Sequence, residues 1–500
     1  MSAAANPQVF AASRERFETM VSFLHAEQAG ALDHGELETR LDAQGRELLR
    51  QLMQDHLDLR AEREQRLPVV RDADQVAHTS VEVGHQRGLH TIFGELDVHR
   101  LAYRAQGAEN LYPADALLNL PAERHSHGLR RLAAIEASRG SYDDTVEAIT
   151  RTSGQRLGKR QVEGLAARAA VDFDAFYATR MPPAGASGDI LVLSCDGKGV
   201  VMRPDALRPS TASAAAKAAP KLASRLSRGE KRNRKRMAEL GAVYDATPAA
   251  RSPTDILPAT EQQHAEVAPG PVIANKWLTA SIVEDAAGVV GQIFDEAQRR
   301  DPEHARAWIA LVDGNNHQIN RITAEAHQRD VPITILIDFI HVLEYLWKAA
   351  WCFHSEGDPA VEAWVADKAR AVLTGNARRV AGAIRRQATT AGLSAARRTG
   401  ADTCATYLTN KAPHLGYPTA LANGWPIATG VIEGACRHIV ADRLDITGAR
   451  WGLGGAEAIL KLRALRSNGD FDHYWTWHLT QERRRTHLTR YADTVIPRAA

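Results

Sequence analysis

The sequence predicts an α/β protein: a five-stranded domain, broken by a helical insertion and preceded by a mostly helical region. Three observations carry that prediction. Short apolar runs rich in β-branched residues alternate with amphipathic stretches between residues 190 and 352. Two of the runs end in Asp-Gly, at Asp196 and Asp313. The rhythm then gives way to Ala/Arg-rich helical sequence at 356–427, after which Glu433 opens a further helix.

From the N-terminus, residues 1–78 read as helical. Phe17, Met20, Val21, Phe23 and Leu24 form one apolar stripe, and Leu37, Leu41, Leu48, Leu49, Leu52, Met53 and Leu57 form another. The second, heavily charged outside its stripe, predicts a long helix after His34 that could face a partner. Residues 79–184 read as a small domain. A hairpin with a Gly94-Glu95 turn is followed by helices at Ser126–Arg139, at Tyr142–Arg151 and from Gly158 onward. A short helix, a turn and a helix opened by Lys159 and Arg160 are compatible with helix-turn-helix DNA recognition, a pattern that ordinary helical hairpins share.

After the linker Met181-Pro-Pro-Ala-Gly-Ala-Ser-Gly188, strands are expected at 190–195, 240–244, 275–284, 307–312 and 332–337. Helices are expected at about 287–300, 317–329 and 339–352. Three strands, helix, strand, helix, strand, helix is the ribonuclease-H-like order, in which the first and fourth strands are neighbours. That order brings Asp196 and Asp313 together. The catalytic domain would span 185–355, resume at 428–470 after the 356–427 insertion, and leave 471–500 as a C-terminal tail.

Composition sets wide bounds. Five hundred residues with a net charge of +2 exceed one hydrophobic core, which favours two to four domains. No run approaches the ~18 apolar residues of a membrane span, and Met1-Ser-Ala-Ala-Ala-Asn-Pro does not read as a secretory signal. Cys195, Cys352, Cys404 and Cys436 form no Cys-x-x-Cys pair, which fits a reducing cytoplasm better than a disulfide framework. The near-neutral average hides basic clusters. Lys217 to Arg236 holds nine Lys or Arg against one acid, and Lys231, Arg232, Arg234, Lys235 and Arg236 are its densest part. Such a run is either a solvated loop or a phosphate-binding one.

Asp-Gly is also a common turn pair, so a single match means little. Two matches, on neighbouring strands, suit a divalent-cation site for phosphoryl transfer, where carboxylates leave positions open for phosphate. Glu433, with Arg437 one helical turn on, is the candidate third carboxylate. Asp338 ends a further strand and has His341 at i+3. On strand order alone Asp313 ranks above Asp338 as second ligand, because the fifth strand lies farther from the first, and Asp338 and His341 are accessory candidates. Arg450 and Trp451, in a glycine-rich turn, could clamp phosphate and stack on a base, although on physics alone a helix–helix corner with a core tryptophan is the better reading.

The runs Cys195-Asp-Gly-Lys-Gly-Val, Leu311-Val-Asp-Gly-Asn, Ile337-Asp-Phe-Ile-His-Val-Leu-Glu-Tyr-Leu-Trp and Gly430-Val-Ile-Glu-Gly-Ala-Cys-Arg-His resemble those of DDE transposases from bacterial insertion sequences, of the ISKra type. Asp442-Arg-Leu-Asp-Ile-Thr-Gly-Ala-Arg-Trp-Gly, Leu117-Leu-Asn-Leu-Pro and Gly140-Ser-Tyr-Asp belong to the same resemblance, which extends over nearly all of the chain after about residue 85. Asp338 and His341 resemble the Asp/Cys-x-x-His signature of related Mutator-like transposases. The resemblance implies a ribonuclease-H-like domain, Mg²⁺ or Mn²⁺ dependence, and Asp196, Asp313 and Glu433 as the metal-binding catalytic triad. It also implies double-stranded DNA partners, namely terminal inverted repeats and target, with a homo-oligomer assembled on them. The rival readings are a structure-specific nuclease of the same fold and a catalytically silent, domesticated DNA-binding protein.

Overall fold

Helix and strand boundaries follow the sequence periodicities closely, and the two largest departures have identifiable causes. The computed structural model describes residues 9–498 apart from 187, 218–221, 223, 226–233, 259–266 and 447. The chain divides into two compact units, Met1–Ala178 with Asp470–Ala500, and Thr179–Gly469.

In the first unit a helix at Ala11–His25 packs on a long helix, His34–Glu62. Asp33 caps the long helix by accepting from Glu36 N, and Glu36 returns the bond to Asp33 N. Two short strands follow, β1 (Val70–Arg71) and β2 (Ala77–His78). A two-stranded hairpin comes next, of β3 (Ser80–Thr91) and β4 (Gly94–Arg104). Its turn is at Ile92-Phe93, two residues before the expected Gly94-Glu95. Gly94 is set by packing rather than by the turn: at φ +142° a Cβ there would lie 2.6 Å from Arg50 Cδ on the long helix. Helices His127–Arg139, Tyr142–Ser153 and Lys159–Ala169 pack on one another as a three-helix cluster.

The segment expected as a tail at 471–500 falls, in its described part, within this unit, together with the region expected at 1–78 and all of the region expected at 79–184 except 179–184. Buried charge explains why. The helix Phe471–Thr486 presents Glu482, whose Oε2 accepts from the fully buried Arg130 Nη1 at 2.6 Å. Glu123 accepts from the other Arg130 nitrogen. Asp172 accepts from His478 Nδ1 at 2.6 Å and from Arg485 Nη1 at 2.7 Å. Truncating one partner of such a cluster leaves uncompensated buried charge, so Arg130→Met should destabilise this unit by about 3–5 kcal/mol in denaturant titrations. A loss below 1 kcal/mol would refute that role. Burial raises the Asp172 pKa, but Arg485 and His478 outweigh it and hold the carboxyl at about 2. The folded value is therefore depressed. Its stabilising share is present above the ordinary carboxylate pKa of about 3.9 and drains away as pH falls toward 2.

The second unit is a mixed α/β sheet with helices. Its strands are β5 (Ile190–Val201), β6 (Lys235–Thr247), β7 (Val272–Ser281), β8 (Trp308–Val312) and β9 (Ile333–Ile337), in the order β7-β6-β5-β8-β9. β5–β6 and β6–β7 are antiparallel, and β5–β8 and β8–β9 are parallel. The first and fourth strands of the unit are thus adjacent. The three central runs are buried along their length, from Ile190 to Cys195, Leu240 to Ala246 and Trp308 to Val312, as expected of strands covered on both faces. Helices Ala286–Arg300, Asn316–Gln328 and Phe339–Ala350 lie where expected. The 356–427 stretch forms helices Ala360–Leu373, Ala377–Thr390, Thr399–Lys411 and Tyr417–Ala422.

The second departure concerns Asp196. β5 does not stop there but runs on to Val201, paired with β6 and met at its end by Trp451 N, which donates to Val201 O at 3.1 Å, while its pairing with β8 stops at Leu193–Ala310. Asp196 therefore lies where β5 outruns β8. No helix among the described residues is long and apolar enough to cross a membrane.

Candidate metal centre

Three aspartates are level across three neighbouring parallel strands. Leu193 pairs with Ala310, which places Asp196 and Asp313 each three residues beyond the last pair. Val312 pairs with Ile337, which places Asp313 and Asp338 each one residue beyond theirs. Register partners in a parallel ladder present side chains to the same face. Gly314 makes the turn after Asp313 possible: its φ is +92° and a Cβ would lie 2.8 Å from Tyr407 Oη.

A helix lies across these tips. It begins at Gly430–Ala435 and widens into a π-helical turn over Cys436–Ala441, a local geometry frequent at functional sites. At its start, Asp338 Oδ2 accepts from Thr429 N at 3.1 Å and from the Thr429 hydroxyl. Seven residues later, Cys436 Sγ donates to Asp196 Oδ2 at 3.2 Å. Seven residues of helix rise about 10 Å, the width of two strand spacings, so the Thr429–Cys436 stretch bridges the β9 and β5 tips.

The environments of the carboxylates differ. Asp338 is fully buried and caps the Phe339–Ala350 helix through Ile340 N at 2.7 Å. Asp313 is half-buried and accepts from Asn315 N at 2.7 Å. Asp196 is half-buried and accepts from Gly197 N at 2.7 Å. Burial, then the charges of Asp196, Asp313 and Glu239, push the Cys195 thiol far up. Burial and Asp196 do the same to Cys436, which therefore stays a thiol donor at neutral pH.

Glu433 is exposed, and its Oε1 lies 3.0 Å from Thr429 Oγ1. The Thr429 hydroxyl has one proton. Asp338 and Glu433 both accept from that hydroxyl, which sets two carboxylates side by side where a cation would be favoured. The donor set fits one. Ligand atoms of Asp338, His341 and Glu433 lie within 4.8 Å of one another, and among the described residues no other group of three does so. Oxygens across one Mg²⁺ are about 4.2 Å apart, so small side-chain rotations suffice.

The structure thus brings Asp196 and Asp313 together, as expected of neighbouring strands, and adds Asp338 beside Asp313. Glu433 is grouped with Asp338 and His341. The strand order behind the ranking of Asp313 over Asp338 is present, β9 lying one strand farther from β5 than β8 does, while the grouping of Glu433 with Asp338 and His341 brings Asp338 into the candidate site as well.

Of the residues expected on DNA, Lys231 and Arg232 lie outside the described residues. Arg236 is not available: its guanidinium donates to the carbonyls of Ile282 (2.6 Å), Ala206 and Val283. Trp451 is not available either. It is buried, its Nε1 donates to Leu444 O at 3.0 Å, and the Arg443 guanidinium covers its ring. Lys235 pairs with Asp445 at 3.1 Å and Lys159 with Asp143 at 2.6 Å, each lysine exposed. Arg160, Arg437 and Arg450 are exposed, and Arg234 is half-buried.

The sequence reading missed Thr429, Cys436, Tyr407 and Lys411. Cys436 carried a signal, since i+3 from Glu433 shares its helical face. Tyr407 and Lys411 carried none. From the insertion, Tyr407 Oη donates to Asp313 O at 3.4 Å, and Lys411 Nζ donates to Asn316 Oδ1.

No protein-family model and no curated protein matches this chain.

Proposed function

We propose that this protein is a DNA strand-transfer enzyme of the DDE transposase type, cleaving the ends of its insertion sequence and joining them to target DNA. The observation that carries the reading is the convergence of Asp196, Asp313 and Asp338 on one sheet edge beneath the helix of Glu433. The strand order and senses are those of a ribonuclease-H-like domain, which we infer this unit to be.

Asp338, His341 and Glu433 would hold one divalent cation, with Asp196 and Asp313 placed to hold or share a second. Mg²⁺ or Mn²⁺ there would supply Lewis acidity to a phosphate oxygen and ease deprotonation of the attacking hydroxyl. The protein's own groups do the positioning. Thr429 fixes Asp338 relative to Glu433, and the Cys436 thiol fixes one oxygen of Asp196. Water attacks the phosphodiester at the element end and releases a 3′-OH. That 3′-OH attacks a target phosphate and expels a target 3′-oxygen, so no covalent protein intermediate forms. The Lys159–Ala169 helix, opened by Lys159 and Arg160, is the candidate reader of the terminal repeat, and Arg437 and Arg450 are candidate phosphate contacts.

A joining assay tests the reading. Labelled duplexes copied from the flanking DNA, ending in a free 3′-OH, are incubated with supercoiled plasmid and Mn²⁺. The expected product is label covalently joined to plasmid. Nicking without joining would support the nuclease reading, and binding with neither reaction a silent DNA-binding protein.

A further inference from the structure

The long helix His34–Glu62 uses only two of its three faces within its own unit. One face meets the hairpin, where Gln54 Nε2 donates to Asp97 O and Asp97 N donates to Gln54 Oε1, each at 2.9 Å, with Leu57 buried alongside. A second face meets the Ala11–His25 helix, where Ser13 Oγ donates to Asp55 Oδ2 at 2.6 Å and Arg16 pairs with Glu47 at 3.0 Å. The third face carries Leu49, Leu52 and Met53 at i, i+3 and i+4, and they remain 47%, 39% and 37% exposed. Three neighbouring large apolar side chains on an otherwise charged helix are the mark of a surface that is covered in use.

We propose that this face joins two copies of the chain, their helices antiparallel about a two-fold axis near the level of Gln51. The order of residues along the face selects that partner. From one end it runs Glu38, Asp42, Gly45, Leu49, Leu52/Met53, His56, Arg60, Arg63, the last three also at the rim of a cleft shared with Val98, Leu118 and Pro497 of the same unit. Antiparallel pairing sets Leu49 against Leu52 and Met53, Gly45 against His56, Asp42 against Arg60, and Glu38 against Arg63. Parallel pairing would set acid on acid and base on base. Asp42 also pairs with Arg46 of its own helix at 2.8 Å, so Arg60 adds to an existing ion pair there.

Gly45 is a second, independent sign. A glycine inside a helix costs about 1 kcal/mol relative to alanine, and a Cβ at Gly45 would meet nothing within 4 Å. Nothing among the described residues of its own unit requires the glycine. Opposite His56 of a second copy, it leaves room for the imidazole. Isologous pairing of this kind closes at two subunits. A single helix pair is at the small end of specific interfaces, so dissociation is expected in roughly the micromolar range. The inference does not depend on the DNA reading.

The test is the solution mass of the full-length chain without DNA, by sedimentation across micromolar concentrations. Wild type should approach the two-chain mass, and Leu49→Glu/Leu52→Glu should stay at one chain with unchanged melting temperature. Orientation is read by disulfide formation in a Cys352→Ser background. Leu49→Cys should cross-link to itself between copies. Gly45→Cys should not, because its copies would be about 16 Å apart along the axis, whereas Gly45→Cys/His56→Cys should. A one-chain mass at every concentration would overturn the proposal. So would a dimer that survives both glutamates, or Gly45→Cys cross-linking as readily as Leu49→Cys.

Discussion

Glu433→Gln is expected to lower strand cleavage by about 10³-fold or more while leaving DNA binding and folding intact. The substitution removes one negative charge from an exposed side chain and keeps its shape. The glutamine amide oxygen can accept from Thr429 Oγ1 as the carboxylate does at 3.0 Å. The variant should therefore melt no lower than wild type, and its Mn²⁺ affinity, read by loss of the free-ion paramagnetic resonance signal, should fall at least tenfold. A variant that cleaves within tenfold of wild type would remove Glu433 from the site.

Asp338→Asn should do more than remove a cation ligand. Its two oxygens accept from Ile340 N, Thr429 N and the Thr429 hydroxyl inside a fully buried position. An amide NH₂ turned toward any of them sets donor against donor, at about 1–3 kcal/mol. We expect at least a tenfold loss of Mn²⁺ affinity together with a lower melting temperature. Asp313→Asn is the informative contrast. Asp313 is half-buried and accepts a backbone N–H that the amide oxygen can equally receive, so cleavage should fall with the melting temperature unchanged. If Asp338→Asn kept wild-type Mn²⁺ binding, the cation would have to be held by Asp196 and Asp313 without the β9 aspartate.

Much of this arrangement was legible in the residues. Apolar runs ending in Asp196, Asp313 and Asp338 fixed three strands, and their order made the first and fourth neighbours. The role of Asp338 was not legible, because distance along a sheet says nothing about where a helix from a remote segment crosses it. The contact that decides it, Thr429 to Asp338, joins positions with no shared periodicity. For Trp451 the buried-corner reading, the better one on packing grounds, is the one the structure shows, with the ring under Arg443. Arg236 belongs to a basic run, yet its guanidinium is held by three carbonyls that follow from the path of the chain at Ala206 and Ile282-Val283. The 471–500 segment looked like a tail because its charges have no meaning until Arg130 and Asp172 are placed opposite them.

The carboxylates at this sheet edge are proposed to cleave DNA with a divalent cation. The most direct test is cleavage of labelled duplexes copied from the DNA flanking the coding sequence, in Mg²⁺ and in EDTA, with wild type beside Glu433→Gln. The account predicts a cut at one defined end position that releases a 3′-OH, requires Mg²⁺ and is lost in the variant. Cleavage that persists in EDTA, or is equal in the two proteins, would contradict it.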